Sequence, residues 1–180
     1  MVWRILTVAV FMIGWLAGTV SAGESEDRFF ELYDLSGKLY RLAHVAQQED
    51  VKVVVVDFFW DGCQPCKKAL PKWKKLFDMY HDKGLRIVIV GIRAGDDLKE
   101  ARKKLKAYFT EHPVPFPVVF DKYNMVAKQY GVVGADNSVS LPQVFLLGKD
   151  GTLFLQTEKS DEAIRKAEQL LSGPPTIPPK

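Results

Sequence analysis

Residues 51–59 read VKVVVVDFF, a run of valines and aromatics broken only by Lys52 and Asp57. A run without polar alternation suits a strand buried on both faces, the central position of a sheet covered on each side. The turn Asp61-Gly62 ends it, and the pattern changes at once. From Gln64 to about Lys83, the residues Cys66, Ala69, Leu70, Trp73, Leu76, Phe77 and Tyr80 recur at spacings of three and four. Lysines fill the other side, so the stretch predicts an amphipathic helix. Pro65 falls in the first turn, where its missing N–H costs nothing. Pro71 lies deeper and should kink the helix, and Gly84 closes it.

The remaining chain extends this alternation. Residues 29–42 predict a hairpin around Asp34-Leu35-Ser36-Gly37. Residues 85–92 form a second apolar strand, 96–110 an amphipathic surface helix, 116–120 a short strand and 123–130 a short helix ending at Gly131. Residues 132–140 read as a loop. Residues 143–147 and 152–156 form a hairpin around Gly148-Lys149-Asp150-Gly151, and 160–171 a last helix with Ser160 as its cap. Strands alternating with helices, then a closing hairpin and helix, predict an α/β sheet with helices on both faces. One domain over residues 28–172 accounts for the pattern, and the Pro-rich tail at 173–180 is expected to be disordered.

The N-terminus carries a different signal. Arg4 precedes an apolar run over residues 5–20, followed by Val20-Ser21-Ala22 and then by Glu24, Glu26 and Asp27. A short positive region, an apolar core and a small-residue cleavage site are the parts of a secretory signal, here residues 1–22. The run is short of the roughly 20 residues a membrane span needs; an uncleaved N-terminal membrane anchor is the alternative. Either reading places the folded part in the periplasm or another extracytoplasmic space. The formal charge of +3 is small and the cations are dispersed among acids, which argues against a nucleic-acid partner.

The chain has two cysteines, Cys63 and Cys66, separated by Gln64-Pro65. An exported protein with a structural disulfide framework carries several cysteines at wide spacing. A close pair constrains the unfolded chain little, so reactivity explains it better. The pair falls where a buried strand gives way to a helix, and a thiolate there meets unpaired N–H groups and the positive end of the helix dipole. Cys63, the outer residue, is therefore expected to be the nucleophile. Cys66, one turn inward on the apolar face, is expected to be the resolving thiol. Three other readings compete. Zinc needs four ligands, and His44, His81 and His112 are scattered in sequence. A copper carrier would favour a looser cysteine spacing with a partner histidine. An inert disulfide is the third.

Residues 53–71, VVVVDFFWDGCQPCKKALP, resemble the active-site strand, CxxC loop and kinked helix of thioredoxins. Over residues 28–172 the chain resembles the exported TlpA/ResA-type branch, whose N-terminal hairpin is matched by FELYDLSGK at residues 30–38. The resemblance implies a thioredoxin-like fold: a central mixed sheet flanked by helices, with the hairpin and a helix-strand insertion. It implies a protein thiol–disulfide oxidoreductase with no cofactor beyond its redox-active disulfide. Asp57, six residues before Cys63, matches the buried acid that helps move the resolving thiol's proton, and a carboxyl in an apolar strand has a raised pKa suited to that task. Pro142, in Leu141-Pro142-Gln143, matches the cis-proline that faces the cysteines and presents backbone to a substrate. Leu141, Trp60, Gln64 and Pro65 are the further residues expected at the substrate surface.

The resemblance also implies partners: exported proteins bearing thiols or disulfides, and a membrane thiol electron donor. A proline before the resolving cysteine accompanies reducing members, which favours reduction, with cytochrome c maturation as a candidate pathway. Two features depart from the family. Gly62 stands where a tryptophan usually precedes the first cysteine, and the loop at 134–140 is longer than expected. The competing class is a thioredoxin-fold binding or chaperone module without redox turnover. A peroxidase would want Thr three residues before its reactive cysteine, where this chain has Trp60.

Overall fold

The computed structural model describes residues 28–95 and 97–172. The signal or anchor expected at 1–22 and the tail at 173–180 lie outside the described residues. Seven strands and five helices follow in the order β1 (Glu31–Tyr33), β2 (Leu39–Arg41), α1 (Leu42–Ala46), β3 (Val53–Phe59), α2 (Gln64–Tyr80), β4 (Leu85–Gly91), α3 (Leu98–Glu111), β5 (Val118–Phe120), α4 (Met125–Gln129), β6 (Gln143–Leu147), β7 (Leu153–Thr157) and α5 (Ser160–Ser172). β1 and β2 pair as an antiparallel hairpin. The other five strands make one mixed sheet in the order β5-β4-β3-β6-β7, with β3, β4 and β5 parallel and β6 and β7 antiparallel to their neighbours.

The apolar run sits at the centre of that sheet, and all seven residues of β3 are buried. Successive side chains of a strand point to opposite faces. Val53, Val55 and Phe59 accordingly join the core under α2, α3 and α5. Val54, Val56 and Phe58 join the core beneath the hairpin, α1 and α4. Each such aliphatic or aromatic side chain removed from water contributes about 1.5–3 kcal/mol before the opposing loss of chain entropy. The parity also fixes Asp57: it points to the α2 face.

α2 forms as the spacing predicts, burying Cys66, Ala69, Leu70, Trp73 and Leu76 with Pro71 inside the helix. A 3-10 turn (His81–Lys83) extends it to Gly84, whose φ of 101° is the left-handed conformation that glycine adopts without strain. Two local expectations are corrected. α3 begins at Leu98, because the Asp97 carboxylate caps it by accepting from the N–H groups of Lys99 and Glu100 at 2.8 and 3.0 Å. Ser160 lies inside α5 rather than capping it, since the Lys159 carbonyl accepts the N–H of Ala163. The five-residue helix α1, with Leu42 and Ala46 buried, was not expected from the sequence.

Candidate functional site

Cys63 and Cys66 form a disulfide with a Cα–Cα separation of 5.3 Å. Cys63 is the N-cap of α2: its backbone is extended, and its Sγ accepts the N–H of Cys66 at 3.2 Å. Two backbone bonds fix the turn, from Cys63 N–H to the Trp60 carbonyl at 2.9 Å and from Lys67 N–H to the Cys63 carbonyl at 3.1 Å. The first sulfur therefore accepts a first-turn helix N–H that has no intrahelical partner. Cys63 keeps 7% of its surface exposed and Cys66 none. The two sulfurs differ in what can reach them.

A cleft of about 370 Å³ opens beside Cys63, lined by Trp60, Gly62, Gln64, Pro65, Ala94, Val139 and Leu141. It gathers Trp60, Cys63, Gln64, Pro65 and Leu141 of the residues expected from the sequence. Pro142 follows Leu141 across a cis peptide bond and is half-buried. Asp57 and Cys66 lie behind the cleft wall, in the core.

Ala94 and Val139 line the cleft without a signal in the sequence. Ala94 belongs to the connection after β4. That connection is clasped by Asn124, whose Oδ1 accepts the N–H of Arg93 at 3.0 Å and whose Nδ2 donates to the Arg93 carbonyl at 2.9 Å. Val139 arrives through the long loop. Val133 and Val139 bridge across it, and Gly134 N–H donates to the Ser138 carbonyl at 2.9 Å, so its extra length is a closed turn that returns the chain to the cleft.

Gly62 and Trp60 account for the departure from the thioredoxin pattern. A Cβ on Gly62 would stand 2.3 Å from Cη2 of the Trp60 ring, with two further ring carbons at 2.5 and 2.6 Å. The indole thus lies across Gly62 and is half-buried between both cores. Its Nε1 is buried without a protein acceptor. The single tryptophan of this turn lies over the glycine that stands before Cys63.

Behind the cysteines, Asp57 is 1% exposed. Burial pushes its carboxyl up to about 8, against the hydrogen bond from Trp73, which favours the ionised form. The Trp73 indole Nε1 donates to Oδ2 at 2.8 Å, and no protein group hydrogen-bonds to Oδ1. Trp73 is a partner that the sequence reading assigned only to the apolar face of α2. An acid whose proton affinity lies near that of an ordinary thiol can exchange a proton with one at little cost.

His44, His81 and His112 are all exposed. Among the described residues, no group of three or more His, Cys, Asp or Glu side chains is gathered in metal-binding range, and no helix is long and apolar enough to cross a membrane.

Residues 27–155 match the AhpC/TSA family. The chain is 30% identical over 142 residues to the thiol-disulfide oxidoreductase ResA of Bacillus thuringiensis subsp. konkukian, covering 79% of this chain and 72% of that protein. It is 22% identical over 173 residues to the sporulation thiol-disulfide oxidoreductase A of Bacillus subtilis, covering 93% and 94%. Among solved structures, the thioredoxin domain of a Bacteroides vulgatus thiol-disulfide oxidoreductase superposes with a TM-score of 0.63 at 23% identity, over 79% of this chain and 93% of that one. A secreted Mycobacterium tuberculosis disulfide oxidoreductase superposes with a TM-score of 0.60 at 17% identity, over 78% and 96%. These last two likenesses show that the fold is thioredoxin-like.

Proposed function

This chain belongs to the AhpC/TSA family of the thioredoxin superfamily and is a thiol–disulfide oxidoreductase, and on that premise we propose that it reduces disulfides in exported proteins, with Cys63 attacking and Cys66 resolving. The observation that carries this reading is the asymmetry of the pair. Cys63 caps α2, borders the cleft and accepts a helix N–H, whereas Cys66 is fully buried one turn inward.

In the reduced protein, the Cys63 thiolate attacks one sulfur of a partner disulfide. A Cys63–partner disulfide forms, and the other partner sulfur leaves as a thiolate. Cys66 then loses its proton to the Asp57 carboxylate and attacks the Cys63 sulfur. The Cys63–Cys66 disulfide forms, and the second partner sulfur leaves as a thiolate carrying the electron pair of the broken S–S bond. The two partner thiolates become a dithiol by taking one proton from Asp57, which returns to its carboxylate, and one from water. A membrane dithiol donor returns the protein to its reduced form by the same exchange. Leu141, Trp60, Gln64 and Pro65 line the cleft that would receive the partner segment, and Pro142 follows Leu141 across the cis bond.

Two features support the finer reading. A signal-like N-terminus supports an extracytoplasmic domain, and Pro65 before Cys66 accompanies reducing members of the family the chain resembles. Apocytochrome c maturation is one candidate pathway for such a reductant. The test is twofold. Replacing Cys66 with Ala should trap exported partners as mixed disulfides on Cys63, and the potential of the pair should lie nearer the about −270 mV of thioredoxin than the about −120 mV of a strong oxidant. An absence of adducts under any redox condition would leave a binding module without turnover. A potential at the oxidising end would reverse the direction.

A further inference from the structure

A second hollow, of about 630 Å³, lies between α3 and the edge made by β1 and β5, larger than the cleft at the disulfide. Its floor is apolar, from Leu98 and Phe120 with the exposed ring of Tyr33 alongside. Its rim is basic. Lys99, Arg102 and Lys106 stand at i, i+3 and i+7 of α3, one row along a helix face, and Lys122 faces them from the end of β5.

These cations are largely unneutralised. Among the described residues neither Lys99 nor Lys106 has an ion-pair partner. Arg102 donates to the Leu35 carbonyl at 3.4 Å, and Lys122 lies over the Tyr123 ring at 4.7 Å. Lys103, also on the lining, meets Glu100 at 4.0 Å, the limit of contact. Among the described residues the one acid on the lining is Asp34, and its Oδ1 is engaged within its own turn, accepting from Ser36 N, Ser36 Oγ and Lys38 N at 2.8, 2.6 and 2.9 Å.

The hollow also shares an end of the sheet with the disulfide. β3, β4 and β5 run parallel, so Phe59, Gly91 and Phe120 finish together. Ile92 N–H donates to the Phe59 carbonyl and Asp121 N–H to the Gly91 carbonyl, each at 2.9 Å, which ties the three strand ends. The connection from β4 puts Ala94 in the disulfide cleft and then opens α3 with Leu98 in the hollow. This connection of a few residues joins the two hollows at one end of the sheet.

We propose that the hollow is an auxiliary docking site for an acidic segment bearing apolar side chains in the protein whose disulfide is exchanged at Cys63, an inference that rests on the reductant reading above. A small inorganic anion would meet the cations and leave the floor uncovered. An uncharged apolar segment would leave the cations unmet. An acidic segment with leucine or phenylalanine between its carboxylates satisfies both. Such contacts act equally before and during exchange, so they lower KM rather than raise kcat.

The test uses the full chain and two substrates with the same disulfide loop, one followed by a segment of alternating Glu with Leu and Phe, the other with Gln for each Glu. At low salt the acidic substrate should show about tenfold higher kcat/KM, through KM, and the ratio should shrink as salt screens the rim. The double variant Lys99→Gln/Lys106→Gln should bring the ratio close to one. Equal values in the wild type, or a preference that survives in the double variant, overturn the proposal. Lysine-dependent binding to phosphatidylglycerol vesicles without any substrate preference also overturns it, in favour of a membrane surface. Exchange of a small neutral disulfide by the wild type tests the reductant reading separately. If that exchange fails, fluorescence anisotropy of the labelled acidic segment alone still decides: salt-sensitive binding lost in the double variant supports the site, and no binding overturns it.

Discussion

Trp73 donates its indole N–H to Oδ2 of Asp57 at 2.8 Å across the interface between α2 and the central strand, and among the described residues this is the one hydrogen bond the buried carboxyl receives. Its strand neighbours in register are Ile89 on β4 and Val144 on β6, both fully buried and apolar. Burial, which raises it, and the Trp73 bond, which lowers it, are the two causes that set its proton affinity. The thiols of Cys63 and Cys66 lie buried in the same core and become titratable once the disulfide is reduced.

Asp57 should make the protein less stable as pH rises. The folded state holds the proton up to about 8, whereas the unfolded chain releases it near 3.8. Folding therefore takes up a proton between those values; the contribution is fully present below about pH 4 and is lost as pH climbs through about 8. The slope approaches about 1.4 kcal/mol per pH unit where the difference is one full proton. Asp57→Asn keeps an acceptor for Trp73 and removes the titration. Urea midpoints at pH 5 and pH 8 should fall markedly in the wild type and much less in the variant. Parallel declines would mean that Asp57 ionises as an ordinary surface carboxyl does.

Trp73→Phe should raise the pKa of Asp57 further. The indole N–H stabilises the carboxylate more than the acid, so losing it makes ionisation harder. Release of partner from the mixed disulfide, the step that needs a proton acceptor for Cys66, should move its pH midpoint upward. Stability should drop by about 2–3 kcal/mol from the lost bond and the void left by the smaller ring. Carboxyl carbon NMR of Asp57 reads the midpoint directly, and an unshifted value would assign Trp73 to packing alone.

The parts of this site differed in how far the sequence disclosed them. The placement of Cys63 at a strand-to-helix junction was legible, because the apolar run at 53–59 and the three–four spacing from Cys66 to Tyr80 are local patterns. The burial of Asp57 followed from the same run. Its partner did not: Trp73 lies on the predicted apolar face, but whether its N–H meets a strand sixteen residues earlier depends on how α2 packs on the sheet. Helix α1 escaped notice since five residues are too few to show a helical period. Ala94 and Asn124 were invisible for a further reason. A clasp between a loop and a short helix thirty-one residues away leaves no periodicity at all.

Gly62→Ala should displace Trp60. The added Cβ would meet three ring carbons at 2.3–2.6 Å, well inside contact distance. Relieving that overlap costs about 1–3 kcal/mol in a well-packed setting. Because Trp60 lines the cleft, exchange with a protein disulfide should slow more than exchange with a small one. The double variant Gly62→Ala/Trp60→Leu should recover much of the lost stability, giving a coupling energy in a double-mutant cycle. Strictly additive losses would show that the two residues do not restrain one another.

Asn124 should govern how firmly the cleft wall beside Ala94 is held. Its φ is 55°, in the left-handed region that asparagine tolerates better than alanine. Its side chain engages both backbone groups of Arg93. Asn124→Gly keeps the backbone conformation and removes both bonds; Asn124→Ala removes the bonds and adds about 1 kcal/mol of backbone strain. Amide exchange at Arg93 should quicken in both variants by roughly tenfold or more, as expected when a clasp worth about 1–3 kcal/mol is lost. Alanine should be the less stable of the two. KM for protein disulfides should rise in both, because the wall that carries Ala94 is no longer held against α4, while kcat depends on sulfur chemistry the clasp does not touch. If Arg93 exchanged at its original rate in the glycine variant, the connection after β4 would be held by its packing, and Asn124 would serve only to start α4.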